Sequence, residues 1–95
     1  MIDKVEEEVE ILNRHLMILQ QVSDSEPIGI VKMSDELGHA HHEIRYSLRL
    51  LEGESLINPT QEGAITTDET DPFIETLDDQ IDDVITRLST MNMSD

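Results

Sequence analysis

The chain has 95 residues, 22 acidic against six Lys and Arg, for a formal charge of −16 and no cysteine. That length fits one small domain with a modest core, not an enzyme built round a deep pocket, and the lack of cysteine excludes disulfides and Cys-based zinc sites. No apolar run approaches the roughly 20 residues that cross a bilayer and no signal-peptide pattern is present, so a soluble, cytoplasmic protein without a membrane partner is expected.

Residues 1–22 read as a long helix. Ile2, Val5, Val9, Leu12, Leu16 and Leu19 form an unbroken a/d heptad seam. Ile11, Met17, Ile18 and Val22 widen the stripe towards its end, which predicts burial of that half on more than one side. Residues 23–26 supply loop and cap groups, and Pro27 bars continuation. A shorter helix fits residues 28–37, with Ile30, Met33 and Leu37 inward and Gly38 as a C-cap glycine. A third fits 39–52, closed by Gly53, and two short helices joined by a glycine-containing turn have the helix-turn-helix spacing.

Leu56-Ile57-Asn58 and Ala64-Ile65-Thr66-Thr67 are β-favouring runs about the turn Pro59-Thr60-Gln61-Glu62-Gly63. A hairpin over residues 56–67 follows, too small to stand without leaning on the helices. Asp71-Pro72 then supplies an N-cap acid and a proline at the first position of a last helix, residues 71–92. Ile74, Leu77, Ile81, Val84, Leu88 and Met91 repeat the heptad spacing, with Asp78, Asp79, Asp82 and Asp83 on the solvent face. At ~1.5 Å per residue this helix runs about 30 Å, more than so small a body covers. Its seam, with Val5, Val9 and Leu12 of the first helix, therefore predicts a partner helix, either the first helix of the same chain or a symmetry mate or both, with a C2 homodimer the usual solution.

The 39–52 helix concentrates the chemistry. At about 100° per residue, Ile44, Leu48 and Leu51 fall within ~60° as a buried stripe, while Arg45, Arg49, His42 and Tyr46 fill an arc of roughly 100° opposite, with no carboxylate inside it. Charge sums to −5 over residues 1–26, −3 over 27–67 and −8 over 68–95, so this arc lies in the least acidic third. His39, His41 and His42, with Glu36 and Glu43 near, raise the question of a transition-metal site. One helix sends His41 about 100° away from His39 and His42, so the expected role is a polar first turn facing phosphate, and no metal or cofactor is assigned. The carboxylate pairs Asp78/Asp79 and Asp82/Asp83 lie on an exposed helix, and neither a Gly-rich phosphate loop nor a Ser/His/Asp grouping occurs. Catalysis is not expected.

Lys32-Met33-Ser34-Asp35-Glu36-Leu37-Gly38, then Ile44-Arg45-Tyr46-Ser47-Leu48-Arg49-Leu50-Leu51-Glu52, then Ser55-Leu56-Ile57, resemble the winged helix-turn-helix regulators of prokaryotes. In those families S-x-E-L-G, V-S-R-x-L-x-x-L-E and G-L-I mark helix 2, the recognition helix and the first wing strand. The resemblance covers residues 12–67 and implies a mainly α fold with a small β-hairpin: a winged domain over 1–67 and a dimerisation helix over 71–92. It also implies a recognition helix in the major groove of double-stranded DNA, with contacts from His41, His42, Arg45, Tyr46, Arg49 and Lys32. The chain departs from the pattern in three places. Arg45-Tyr46 stands where Ser-Arg is frequent, Ser55 replaces a glycine, and residues 59–63 carry Glu62 but no Lys or Arg, which removes the usual basic grip of a wing. The acidic composition resembles that of cytoplasmic proteins of salt-loving archaea, where a Debye length of ~3 Å screens self-repulsion. The reading is a homodimeric DNA-binding transcriptional regulator in high salt; the alternative is a winged-helix module that docks protein through the 39–52 face.

Overall fold

The computed structural model describes residues 1–94. They form α1 (Ile2–Ser25), α2 (Ile30–Leu37), α3 (His41–Gly53), β1 (Ile57–Thr60), β2 (Gly63–Thr66) and α4 (Thr70–Ser89), a mainly helical chain with one antiparallel hairpin. Each element stops for a local reason. Pro27 holds the residue before it out of the helical region, so Glu26 takes φ −57 and ψ 139 and α1 runs three residues past the expected end at 22. Gly38 ends α2 at φ +76 and donates its N–H to the Ser34 carbonyl at 2.9 Å. The first residue of α3 is His41 rather than the expected 39. Glu43 caps that end by reaching back to the Ala40 N–H, 3.0 Å from its Oε1.

Ile28, expected to open the second helix, is instead extended. Its N–H and carbonyl bond the Ala64 carbonyl and N–H at 3.2 and 2.8 Å, adding a one-residue strand to the free side of β2. This also explains a second difference from expectation. The hairpin turns through Gln61 and Glu62 alone, with Thr60 paired to Gly63 and Pro59 to Ala64, rather than through residues 59–63. Because both backbone groups of Ala64 face Ile28, nothing on β2 asks Pro59 for the N–H it lacks, and a proline is tolerated within the edge strand. Gly63 is obligatory at this crossing: a Cβ there would lie 2.5–2.7 Å from the Ile28 backbone, and its φ is +133.

The core sits where the last turns of α1 meet α3 and the hairpin. Ile18, Leu19 and Val22 of α1 pack with Ile28, Met33, Ile44, Leu51, Leu56, Ile57 and Ala64, and Ile30, Leu37, Leu48 and Phe73 close its edges. Of the residues that widen the stripe of α1, Ile18 and Val22 are thus buried as the pattern predicts, whereas Ile11 is half-buried and Met17 is exposed. The backbone leaves α3 through a Schellman turn, with the Leu56 N–H on the Leu51 carbonyl (2.9 Å) and the Ser55 N–H on that of Glu52 (3.0 Å). This puts Ser55 at φ +62, the left-handed region.

The start of α4 is stitched to that turn. Thr70 is buried and donates its hydroxyl to the Leu56 carbonyl at 2.6 Å, and Thr67 donates to that of Ser55 at 2.6 Å. Thr67 Oγ1 also accepts the Glu69 N–H at 3.1 Å, so this threonine does the capping expected of Asp71. Asp71 and Pro72 fall inside the first turn instead, and the helix ends at Ser89 rather than 92. Past Phe73 the helix departs from the core. All of residues 1–10 and 82–94 are exposed, and the molecule is drawn out to 53 × 28 × 20 Å. Val5, Val9, Leu12, Val84, Leu88 and Met91 are exposed, while Ile74, Leu77 and Ile81 are half-buried, so neither seam is closed by the other within one chain. No helix among the described residues is long and apolar enough to cross a membrane.

Candidate nucleic-acid interface

α3 presents two sides because its apolar residues repeat with the helical period. Ile44 and Leu51 point into the core, with Leu48 half-buried beside them, and Arg45, Tyr46 and Arg49 project into solvent. Arg45 and Arg49 stand on a ridge between two depressions. On one side they line a groove of about 410 Å³ whose other wall is the hairpin, including Pro59, Gln61 and Glu62. On the other side they share a shallower hollow with Arg14, His42, Glu43 and Tyr46. Among the described residues no carboxylate lies within 4.0 Å of either arginine, and the Glu52 pairing that helical spacing allows is not made. The chain's other two arginines are both paired, Arg14 with Glu43 and Arg87 with Asp83.

Arg14 was not a candidate in the sequence, yet the fold brings it into the hollow from α1. Its Nε–H donates to Ser47 Oγ at 3.1 Å, and its guanidinium carbon lies 5.8 Å from the centre of the Tyr46 ring. Ser47 is fully buried, and on its other side Oγ lies 2.8 Å from Nδ1 of buried His15. Burial, and then the Arg14 charge, hold the His15 pKa below the ordinary imidazole value, so the ring is neutral at pH 7. A neutral ring with Nδ1 as acceptor receives a hydrogen bond from the Ser47 hydroxyl, which leaves a lone pair of the Ser47 oxygen free to accept from Arg14. The His15 and Tyr46 rings, 5.8 Å apart, complete the wall. Two signals pointed here. Ser47 falls beside the apolar stripe of its own helix, where a hydroxyl needs a partner, and Arg14-His15 interrupts the apolar run of α1.

The other expected contacts are spread more widely. His42 lines the hollow with the arginines; His41, exposed at the first position of α3, and Lys32, exposed on α2, line neither depression. Helical spacing keeps carboxylates out of the arc, but the hollow does hold one, Glu43, which lies at its edge. The Ala40 N–H is the main cause holding the Glu43 carboxyl below its ordinary pKa; desolvation opposes it, and His39 and then Arg14 add to the lowering. His39 sits before the helix, its Nδ1 3.6 Å from Glu43 Oε1. Among the described residues no group of three or more His, Asp or Glu side chains is placed to hold a metal ion. No protein-family model and no curated protein matches this chain.

Proposed function

We propose that this chain is a cytoplasmic, homodimeric transcriptional regulator of winged helix-turn-helix type that places α3 in the major groove of double-stranded DNA. The observation that carries the reading is the pair Arg45 and Arg49: exposed, unpaired among the described residues and side by side on the helix that follows the glycine turn, in a chain of charge −16. An unpaired guanidinium is a ready bidentate donor for guanine or phosphate, and Tyr46 and His42 flank it with further hydrogen-bonding groups. The exposed seams of α1 and α4 support the dimer, which sets two copies of α3 about one DNA turn apart.

So acidic a protein is repelled by DNA in dilute buffer. Cations taken up between its carboxylates and the phosphates screen that repulsion, so binding persists towards molar KCl instead of falling with the steep slope of ordinary counterion release. The test is duplex binding by R45A/R49A against wild type in molar KCl. Loss of binding by a folded double variant is the expected result; wild-type protein that binds no duplex in any salt refutes the reading. One observation favours a protein-docking module instead. The hairpin wall of the groove offers Gln61 and Glu62 and no basic side chain, so the groove is mixed in charge rather than cationic throughout. Under that reading the double variant loses a protein partner and not a duplex.

A further inference from the structure

The Arg14 guanidinium is seated rather than loose. Only 15 % of its side chain is exposed, its Nε is committed to buried Ser47, and Tyr46 packs against its face. Its Nη end is held more weakly, by Glu43 alone among the described residues, and the residue lines the hollow shared with His42, Arg45 and Arg49. Its sole anionic neighbour there among the described residues is Glu43, whose Oε2 lies 3.4 Å from Nη1, well beyond the usual 2.7–2.9 Å of a charge-assisted bond. Glu43 is held elsewhere, by the Ala40 N–H at 3.0 Å. A cation fixed in orientation, lightly paired and flanked by two unpaired arginines is an anion receptor. Because it lies on α1, recessed in the wall of the hollow and off the helix that would enter the groove, it meets a protruding phosphate rather than a base edge.

We propose that Arg14 is a pre-oriented receptor for one backbone phosphate of duplex DNA, which Glu43 partly occupies in the free protein. The assignment rests on the DNA-binding reading above. A phosphate oxygen arriving at Nη1 replaces the long Glu43 contact with a short one and fixes how deep and in what register α3 lies. Arg14 thus adds affinity without sequence preference, while Arg45 and Arg49 supply the preference.

Binding of R14Q, R14K and E43Q to several unrelated duplexes, titrated with KCl, tests this, with thermal melts to confirm that each variant folds. R14Q is expected to weaken binding to every duplex by a similar factor, roughly tenfold, and to shift the slope of log affinity against log salt by about +0.9 relative to wild type. R14K, keeping the charge without the Ser47 bond, retains the slope and loses part of the affinity, and E43Q binds more tightly than wild type. If R14Q binds as wild type does while R45A/R49A does not, the phosphate assignment fails and the DNA reading stands. If wild type binds no duplex, that reading fails. Titration of the wild-type chain with inorganic phosphate, followed by NMR at the backbone N–H signals of Tyr46 and Ser47 beside Arg14, then separates the cases. A saturable shift absent from R14Q identifies a free-oxyanion site and overturns the nucleic-acid assignment; no shift overturns the receptor altogether.

Discussion

Replacing Ser55 by glycine is expected to stabilise the protein although it removes atoms. Ser55 has φ +62, where a Cβ crowds its own backbone at a cost of roughly 1–2 kcal/mol. Glycine escapes that cost but loses about 0.5–1 kcal/mol more backbone entropy on folding. The difference leaves about 0.5–1 kcal/mol in favour of glycine. Nothing else offsets it: the Ser55 side chain is exposed, its hydroxyl makes no hydrogen bond among the described residues, and the bond it receives from Thr67 goes to its backbone carbonyl, which glycine keeps. For a domain of this size that gain raises the thermal midpoint by about 2–6 °C. The assay is a far-UV circular dichroism melt in molar KCl at matched protein concentration, since the proposed dimer would make the midpoint concentration-dependent. S55A is the control, because alanine retains the Cβ and the crowding. A midpoint for S55G no higher than wild type, or a gain that S55A equals, refutes the argument from left-handed strain.

Two further outcomes follow from the packing. His15 has a folded pKa below its unfolded value of 6.5, so on acidification the unfolded chain takes up a proton that the folded chain refuses. Its contribution to stability is complete above pH 6.5 and is lost as pH falls from there towards the folded value; melting midpoints from pH 7.5 to 5.5 should fall less steeply in H15Q, and parallel curves would contradict this. Leu88 is exposed on the last turns of α4, and L88D should convert a wild-type dimer to a single chain in sedimentation at molar KCl; a wild type that already sediments as a single chain ends the dimer proposal.

The punctuation of this fold was legible wherever one residue decides it alone. Pro27 stops α1 and Gly38 turns the chain between α2 and α3, both from backbone geometry that no tertiary contact overrides. Pro59 misled because the same ring that favours a turn is harmless on an edge strand whose neighbour bonds the other way. That depends on Ile28, a residue 36 positions from Ala64 that no local pattern connects to the hairpin. The candidate site divides similarly. Arg45, Tyr46 and Arg49 lie on one helix, so the helical period alone places them together. Arg14 joins them from another helix, through a hydroxyl 33 residues away. The periodicity of α3 marked where Ser47 lies, but only the crossing of α1 and α3 names what it bonds.

The bridge between Ile28 and Ala64 has a consequence for how this molecule can change over generations. It moors the hairpin close to its turn, at the residue after Gly63, and the turn itself is held by Thr60, whose hydroxyl donates to the Gly63 carbonyl at 2.6 Å and accepts the Glu62 N–H at 3.2 Å. Gln61 and Glu62 are thereby released from any part in holding the fold, yet they look directly across a groove at Arg45 and Arg49. The residues that hold the turn and the side chains that line the groove are different, though adjacent in sequence. Descendants of this chain can therefore rewrite the tip, acidic to basic or polar to apolar, and acquire new partners without renegotiating the core.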